Sequence, residues 1–190
     1  ADAATSSDIV LQGGVTDEAV KFSATDGTST AGLIAIAAQD ENAELTVTTA
    51  ANMAQVTTLT ASTTTNLILS GGVSDTAISM MSVDGSTAST AYTAATNEDT
   101  NVTVTVTGTN PTINQLNAIA GLTTGAVTAS ISGNGNDLVN LTTLGTNDQI
   151  AITVNDVIDI SIVNTLNSKT GTALVLTGGV SDQAINLVST

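Results

Sequence analysis

The chain has 190 residues, and its 17 acidic residues against two basic ones give a formal net charge of −15. Two aromatic side chains and no basic patch argue against nucleic-acid binding, since little could neutralise phosphates or stack on bases. Histidine and cysteine are absent, which excludes disulfides and thiolate metal sites and provides poorly for catalysis. A field this negative attracts cations, of which calcium is the obvious candidate.

Taken in chain order, the first feature is a long repeat. Residues 9–50 align without a gap to residues 67–108, and a third copy, 174–190, stops part of the way through. Each copy carries a Gly-Gly-Val phrase, which predicts a tight turn. We expect an added strand after each turn, in the stretches AVKFSA, AISMMSV and AINLVS, and we expect the array to continue into a partner chain or into more of this chain.

Between the long copies lie shorter units that begin with alternating stretches. Apolar residues alternate with Thr or Ser in LTVTT, VTVTVTG, VTASISG and IAITVND, which is the period of a half-buried strand. Each of these stretches is expected to lead through a turn into a short helix, and such strand–helix units fill residues 101–172.

The expected helices have apolar residues spaced by three, which fall on one side of a helix. For the second helix, Asn110 is the expected cap, Pro111 the first helical residue and Gly121 the residue after the end. The four sets are Met53/Val56/Leu59, Ile113/Leu116/Ile119, Leu138/Leu141/Leu144 and Ile160/Val163/Leu166.

Together these elements predict a mainly β protein with short helices, a repetitive solenoid-like strand–helix array that runs continuously over residues 1–190. Tandem β-sandwich modules of about 90 residues each are the alternative, because alternating strands would also allow them. The repeat is shorter than one sandwich, which favours the solenoid.

Three aspartates occupy one position of the repeated phrase: Asp17, Asp75 and Asp182. A carboxylate two residues after a Gly-Gly-Val turn could bind calcium together with backbone carbonyls. Aspartate in a tight turn also accepts hydrogen bonds from its own backbone, and the two roles are compatible.

The segment SGNGNDLVN, residues 132–140, resembles the nonapeptide of haemolysin-type (RTX) calcium-binding repeats and matches it at Gly133, Gly135, Asp137 and Val139. The resemblance implies calcium binding by Asp137 and by nearby backbone carbonyls. Ser132 departs from the pattern, and the family has several such nonapeptides in tandem. A turn that leads into the following helix is the alternative.

Longer phrases, INQLNAIAGLTTGAVTASISG and IVNTLNSKTGTALVLTGG, are similar to repeats of giant secreted bacterial cell-surface proteins, a group that includes RTX-type adhesins. The resemblance implies export and an extracellular, cell-surface location. The sequence has no apolar run of 18 residues, so no membrane insertion is expected.

We therefore expect a non-catalytic extracellular structural protein rather than an enzyme. It would be a segment or subunit of a repetitive cell-surface or matrix fibre, and its partner would be further copies of itself, joined head to tail. The alternative is an adhesin-type binding module of a secreted calcium-binding repeat protein.

Overall fold

The computed structural model describes residues 10–142 and 147–188, which form an α/β fold that is 35% helical and 22% strand. The strands are β1 (Val15–Asp17), β2 (Leu45–Val47), β3 (Leu67–Ile68), β4 (Val73–Thr76), β5 (Val104–Thr107), β6 (Val127–Gly133), β7 (Gln149–Val154) and β8 (Val175–Leu176). The helices are α1 (Ala19–Phe22), α2 (Ala31–Gln39), α3 (Met53–Ser62), α4 (Ala77–Met80), α5 (Thr90–Glu98), α6 (Ile113–Leu122), α7 (Gly135–Leu138), α8 (Ile160–Asn167) and α9 (Ala184–Val188).

The strands form two parallel sheets in which each strand pairs with the next one along the chain. The orders are β1-β2-β3 and β4-β5-β6-β7-β8, and an isolated parallel bridge from Ala51 to Val73 connects the two. We call the two sheets and the bridge between them the ladder. A strand of the ladder, or the successive strands β3 and β4, together with the helices that follow is called a unit. The units are β1-α1-α2, β2-α3, β3-β4-α4-α5, β5-α6, β6-α7, β7-α8 and β8-α9.

The predicted fold class is wrong, because helix exceeds strand and the strands belong to two parallel sheets instead of a mainly β solenoid-like array. The sandwich alternative is wrong as well, since sandwiches pack antiparallel sheets and every ladder between these strands is parallel.

Much of the unexpected helix follows the Gly-Gly-Val phrases, where strands were predicted. The turn itself is confirmed, because Gly14, Gly72 and Gly179 all have positive φ. The residues after it form the short helices α1, α4 and α9 instead of strands. At α4 the Thr76 hydroxyl accepts the Ser79 N–H, so a side-chain cap starts a helix that the apolar pattern did not indicate.

Two longer helices, α2 and α5, were also not predicted. Each begins after a hydroxyl cap, since Thr30 accepts the Leu33 N–H and Ser89 accepts the Tyr92 N–H. Several alanines in each helix carry a high intrinsic helix propensity, which a pattern of apolar residues spaced by three does not reveal.

The alternating stretches do form β2, β5, β6 and β7, as predicted. In β5 the side chains of Val104 and Val106 are buried while those of Thr105 and Thr107 are exposed. The buried side chains of the strands meet those of the helices, including Val56, Leu59, Leu116 and Ile119, in one continuous core.

The spacing by three predicted α3, α6 and α8 correctly, while the cap expected for α6 is wrong. Thr112 caps α6, Asn110 has a φ of 54°, and Gly121 lies inside the helix. The third predicted helix is the short α7, which contains Leu138; Leu141 follows it, and Leu144 lies outside the described residues.

A buried glutamine at the start of α3 joins two units. Gln55 is 2% exposed; its Oε1 accepts the Asn52 N–H at 3.1 Å and its Nε2 donates to the Ser23 carbonyl at 2.7 Å. Gln115 repeats the arrangement in α6, with Nε2 donating to the Ser82 carbonyl at 3.1 Å. Each amide therefore completes a capping box and also holds the segment that joins the two helices of the preceding unit, α1 to α2 or α4 to α5.

Replacing Gln55 by glutamate tests this double role. The variant Gln55→Glu removes the donor and places a carboxylate against the Ser23 carbonyl, which we expect to lower the free energy of unfolding by about 2–3 kcal/mol in urea titrations. The control Gln149→Glu, at an exposed strand position, should stay within about 0.5 kcal/mol of the parent chain. Equal effects of the two changes would contradict the role assigned to Gln55.

Candidate functional site

Asp75 of the repeated phrase lies in β4, where it bridges two units. Its Oδ1 accepts the Thr76 N–H at 2.7 Å, while its Oδ2 accepts the N–H of Met53 at 2.9 Å. Met53 is the first residue of α3, in the preceding unit. The carboxylate thus makes the local turn bond expected of aspartate and a second bond to a helix 22 residues earlier in the chain.

Asp182 repeats this arrangement one copy later. Its Oδ2 accepts the N–H of Ile160, the first residue of α8, at 3.1 Å. Its Oδ1 accepts the Gln183 N–H and the Asn186 side-chain amide, both at 2.7 Å. The Asn186 amide, followed by the two backbone N–H groups, lowers the pKa of Asp182 below its usual value.

Asp156 was not predicted as a site residue, but it accepts a hydrogen bond from the start of α7 in the same way. Its Oδ1 accepts the N–H of Gly135, the first residue of that helix, at 2.8 Å. Asp156 follows β7 outside any repeated phrase, so its place in the repeat gave no signal. We call Asp75, Asp156 and Asp182 the boundary aspartates, because the carboxylate of each accepts a hydrogen bond from the first residue of a helix in the preceding unit.

The boundary aspartates satisfy a general need of helices. The first N–H groups of a helix have no partner within it, and the helix dipole makes that end partly positive. An acceptor with a negative charge is therefore well placed there, and here it comes from the next unit along the chain. The contact contributes to helix formation and to cohesion between units at the same time.

A second set of acids acts at the start of the strands. Asp40 Oδ2 accepts the Leu11 N–H at 2.8 Å, Glu98 Oε2 accepts the Leu67 N–H at 3.3 Å, and Asp148 Oδ1 accepts the Val127 N–H at 2.7 Å. Asp40 directly follows α2, Glu98 is the last residue of α5, and Asp148 immediately precedes β7. We call Asp40, Glu98 and Asp148 the strand-start acids.

Asp17 has the same place in the repeated phrase but a different environment. Its Oδ1 accepts the Glu18 N–H at 2.8 Å, and its side chain is exposed, whereas those of the boundary aspartates are half-buried. Asp75 and Asp182 each cap a helix of the preceding unit. Asp17 lies in the first of the described units, so among the described residues there is no preceding helix for it to cap.

Asp137 and its nonapeptide form a strand end and a short helix. Gly133 ends β6 and Gly135 begins α7, and neither has a positive φ. A Cβ on Gly135 would lie 2.5 Å from Ile158 Cγ2, so the glycine is required by close packing between units. Asp137 is exposed on α7.

The candidate calcium ligands are not brought together. Asp17, Asp75, Asp137 and Asp182 lie in four different units. In residues 10–142 and 147–188 no group of three or more His, Cys, Asp or Glu side chains could hold a metal ion. Calcium binding at these positions stays a prediction, while the boundary role of Asp75 and Asp182 is defined by their hydrogen bonds.

No helix in the described part of the chain has both the length and the apolar character needed to cross a membrane.

Comparison of the chain with protein-family models, with curated proteins and with solved structures gives no match.

The repeated phrase offers a matched pair of variants, Asp75→Ala and Asp17→Ala. The first removes an acceptor from the α3 helix start, and we expect it to lower the free energy of unfolding by about 1–2 kcal/mol. The second removes only a local turn bond and should cost less than about 0.5 kcal/mol. Urea unfolding of both variants measures the difference, and equal losses would contradict the boundary role of Asp75.

Asp182 makes stability depend on pH in a defined direction. The pKa of Asp182 is lower in the folded chain than its ordinary value of 3.8. The ionised side chain therefore stabilises the folded state at pH values above 3.8. This contribution is lost as the pH falls below about 4 through the folded pKa. Melting measured from about pH 5 down to pH 2 should fall less steeply for Asp182→Asn than for the parent chain, and parallel curves would contradict the assignment.

Proposed function

We propose that the chain is a non-catalytic structural protein of the cell exterior, a segment or subunit of a repetitive cell-surface or matrix fibre that associates head to tail with further copies. One observation carries the proposal: each unit contacts the next through parallel strand pairing, supplemented at three of the boundaries by an aspartate from the later unit. An edge of such a ladder is a template on which another unit can be added.

The edges of the described ladder support this. Within the described residues β1 pairs only with β2, and β8 pairs only with β7. Val15 N–H and Asp17 C=O bond to the β2 side, so the N–H and C=O of Thr16 point to the outer edge. Beside them Asp17 carries a carboxylate whose counterparts, Asp75 and Asp182, cap a helix of a neighbouring unit. A head-to-tail contact that does not close generates a filament.

The chemistry of the chain supports a structural role over catalysis. Histidine and cysteine are absent, and charged residues make up only 10% of the chain. Six of the carboxylates, the boundary aspartates and the strand-start acids, are engaged with backbone N–H groups. The boundary aspartates serve cohesion between units, and these hydrogen bonds leave all six carboxylates little freedom for proton transfer.

Electron microscopy of the purified chain, with sedimentation over a concentration series, tests the proposal. We expect filaments that lengthen with concentration. The variant Thr16→Pro removes the outward N–H of an edge strand, where proline is tolerated, and should stay folded by circular dichroism while forming no filaments. Discrete particles at every concentration would contradict the fibre and favour the adhesin-type binding module.

A further inference from the structure

The junction between β6 and α7 contains the pair Asn134–Gly135. Asn134 is exposed and occupies the N-cap position of α7 with an extended backbone (φ −77°, ψ 141°), yet its side chain makes no capping hydrogen bond. Its carboxamide is therefore available for other chemistry. Gly135, next to it, is buried.

Packing between units explains why the residue after Asn134 is glycine. A Cβ at position 135 would lie 2.5 Å from Ile158 Cγ2 and 3.1 Å from Ile162 Cγ2, both in the next unit. Both distances are shorter than ordinary contacts, so a side chain at this position would displace these isoleucine methyl groups. The close approach of the two units thus favours glycine after Asn134, and glycine leaves the nitrogen that follows asparagine sterically unhindered.

The reaction open to such a pair is deamidation through a cyclic imide. The Gly135 backbone nitrogen attacks Asn134 Cγ, a new C–N bond closes a five-membered succinimide, and the side-chain nitrogen leaves as ammonia. Water then opens either imide carbonyl and leaves aspartate or isoaspartate at position 134. No oxidant, metal or further reactant is needed.

One hydrogen bond opposes this reaction. The Gly135 N–H donates to Asp156 Oδ1 at 2.8 Å, across the boundary between two units. Attack on Asn134 Cγ requires this nitrogen to lose its proton and to turn towards the asparagine side chain. While the bond to Asp156 is intact, the N–H is directed at the carboxylate of the next unit.

We propose that Asn134 is a site of spontaneous deamidation whose rate is controlled by the boundary aspartate Asp156. Opening of the boundary between the β6-α7 and β7-α8 units frees the Gly135 nitrogen and permits imide formation. The product adds a negative charge close to Asp137 and Asp156, and isoaspartate also lengthens the backbone at the helix start. The modification is irreversible, and its added charge disfavours closure of this boundary.

The test compares deamidation in the folded chain, in variants and in a synthetic peptide of residues 130–140 at mildly alkaline pH. Peptide mass spectrometry with chromatographic separation of isoaspartate gives the rate at position 134. We expect the folded parent chain to react at least about tenfold more slowly than the peptide. Asp156→Ala should bring the rate to within about threefold of the peptide, because the acceptor is gone.

Two controls separate this effect from a change of charge or of fold. Asp137→Ala removes a carboxylate from the same short helix and leaves the bond from Gly135 to Asp156 in place, so it should react like the parent chain. Asp156→Asn retains an oxygen acceptor and should also protect Asn134. A parent chain as reactive as the peptide would overturn the proposal, as would an unchanged rate in Asp156→Ala.

Discussion

The structure depends on one constraint: the first N–H groups of a helix have no partner within that helix, so those that the helix's own cap does not satisfy need acceptors from elsewhere in the fold. In this chain the acceptor is repeatedly a side-chain carboxylate from a later unit. Met53, Gly135 and Ile160 receive theirs from Asp75, Asp156 and Asp182. No unit of this kind is satisfied until its neighbour is in place, so local helix formation and stacking of units are coupled.

This coupling gives a role to acidic residues in a chain that is poor in charge. With 17 acids and two bases, carboxylates have few cationic partners, and backbone N–H groups serve in their place. Uncharged side chains also make hydrogen bonds between units. The Thr49 hydroxyl accepts the N–H of Ala19 at the start of α1, and the Tyr92 hydroxyl donates to the Ile119 carbonyl. The core beneath is made mainly of aliphatic residues, together with Phe22, Tyr92 and three methionines.

Periodicity in the sequence was sufficient to predict some of the strands and helices. Alternating Val and Thr identified β5, and apolar residues spaced by three identified α3, α6 and α8. The segments after the Gly-Gly-Val turns were misassigned because four or five residues such as AISM fit either period. Their state is decided by a cap, Thr76 in the case of α4, and by burial of Ala77 and Met80. The fold class was wrong for the same reason, since these helices and α2 and α5 were not counted.

The site was partly visible in the sequence. Repetition drew attention to Asp75 and Asp182, but their partners lie 22 residues away, so no local pattern could show them. Asp17 shares the phrase and lacks the contact, while Asp156 has the contact and lacks the phrase. The role therefore belongs to a position in the stacked units and not to a motif.

Native-state hydrogen exchange at single-residue resolution tests the central claim most directly. In a helix without an external acceptor the first amide exchanges freely. The boundary account predicts that the amides of Met53, Gly135 and Ile160 are protected and exchange together with the ladder that joins their units. Free exchange at these three amides, in a chain whose strands remain protected, would contradict it.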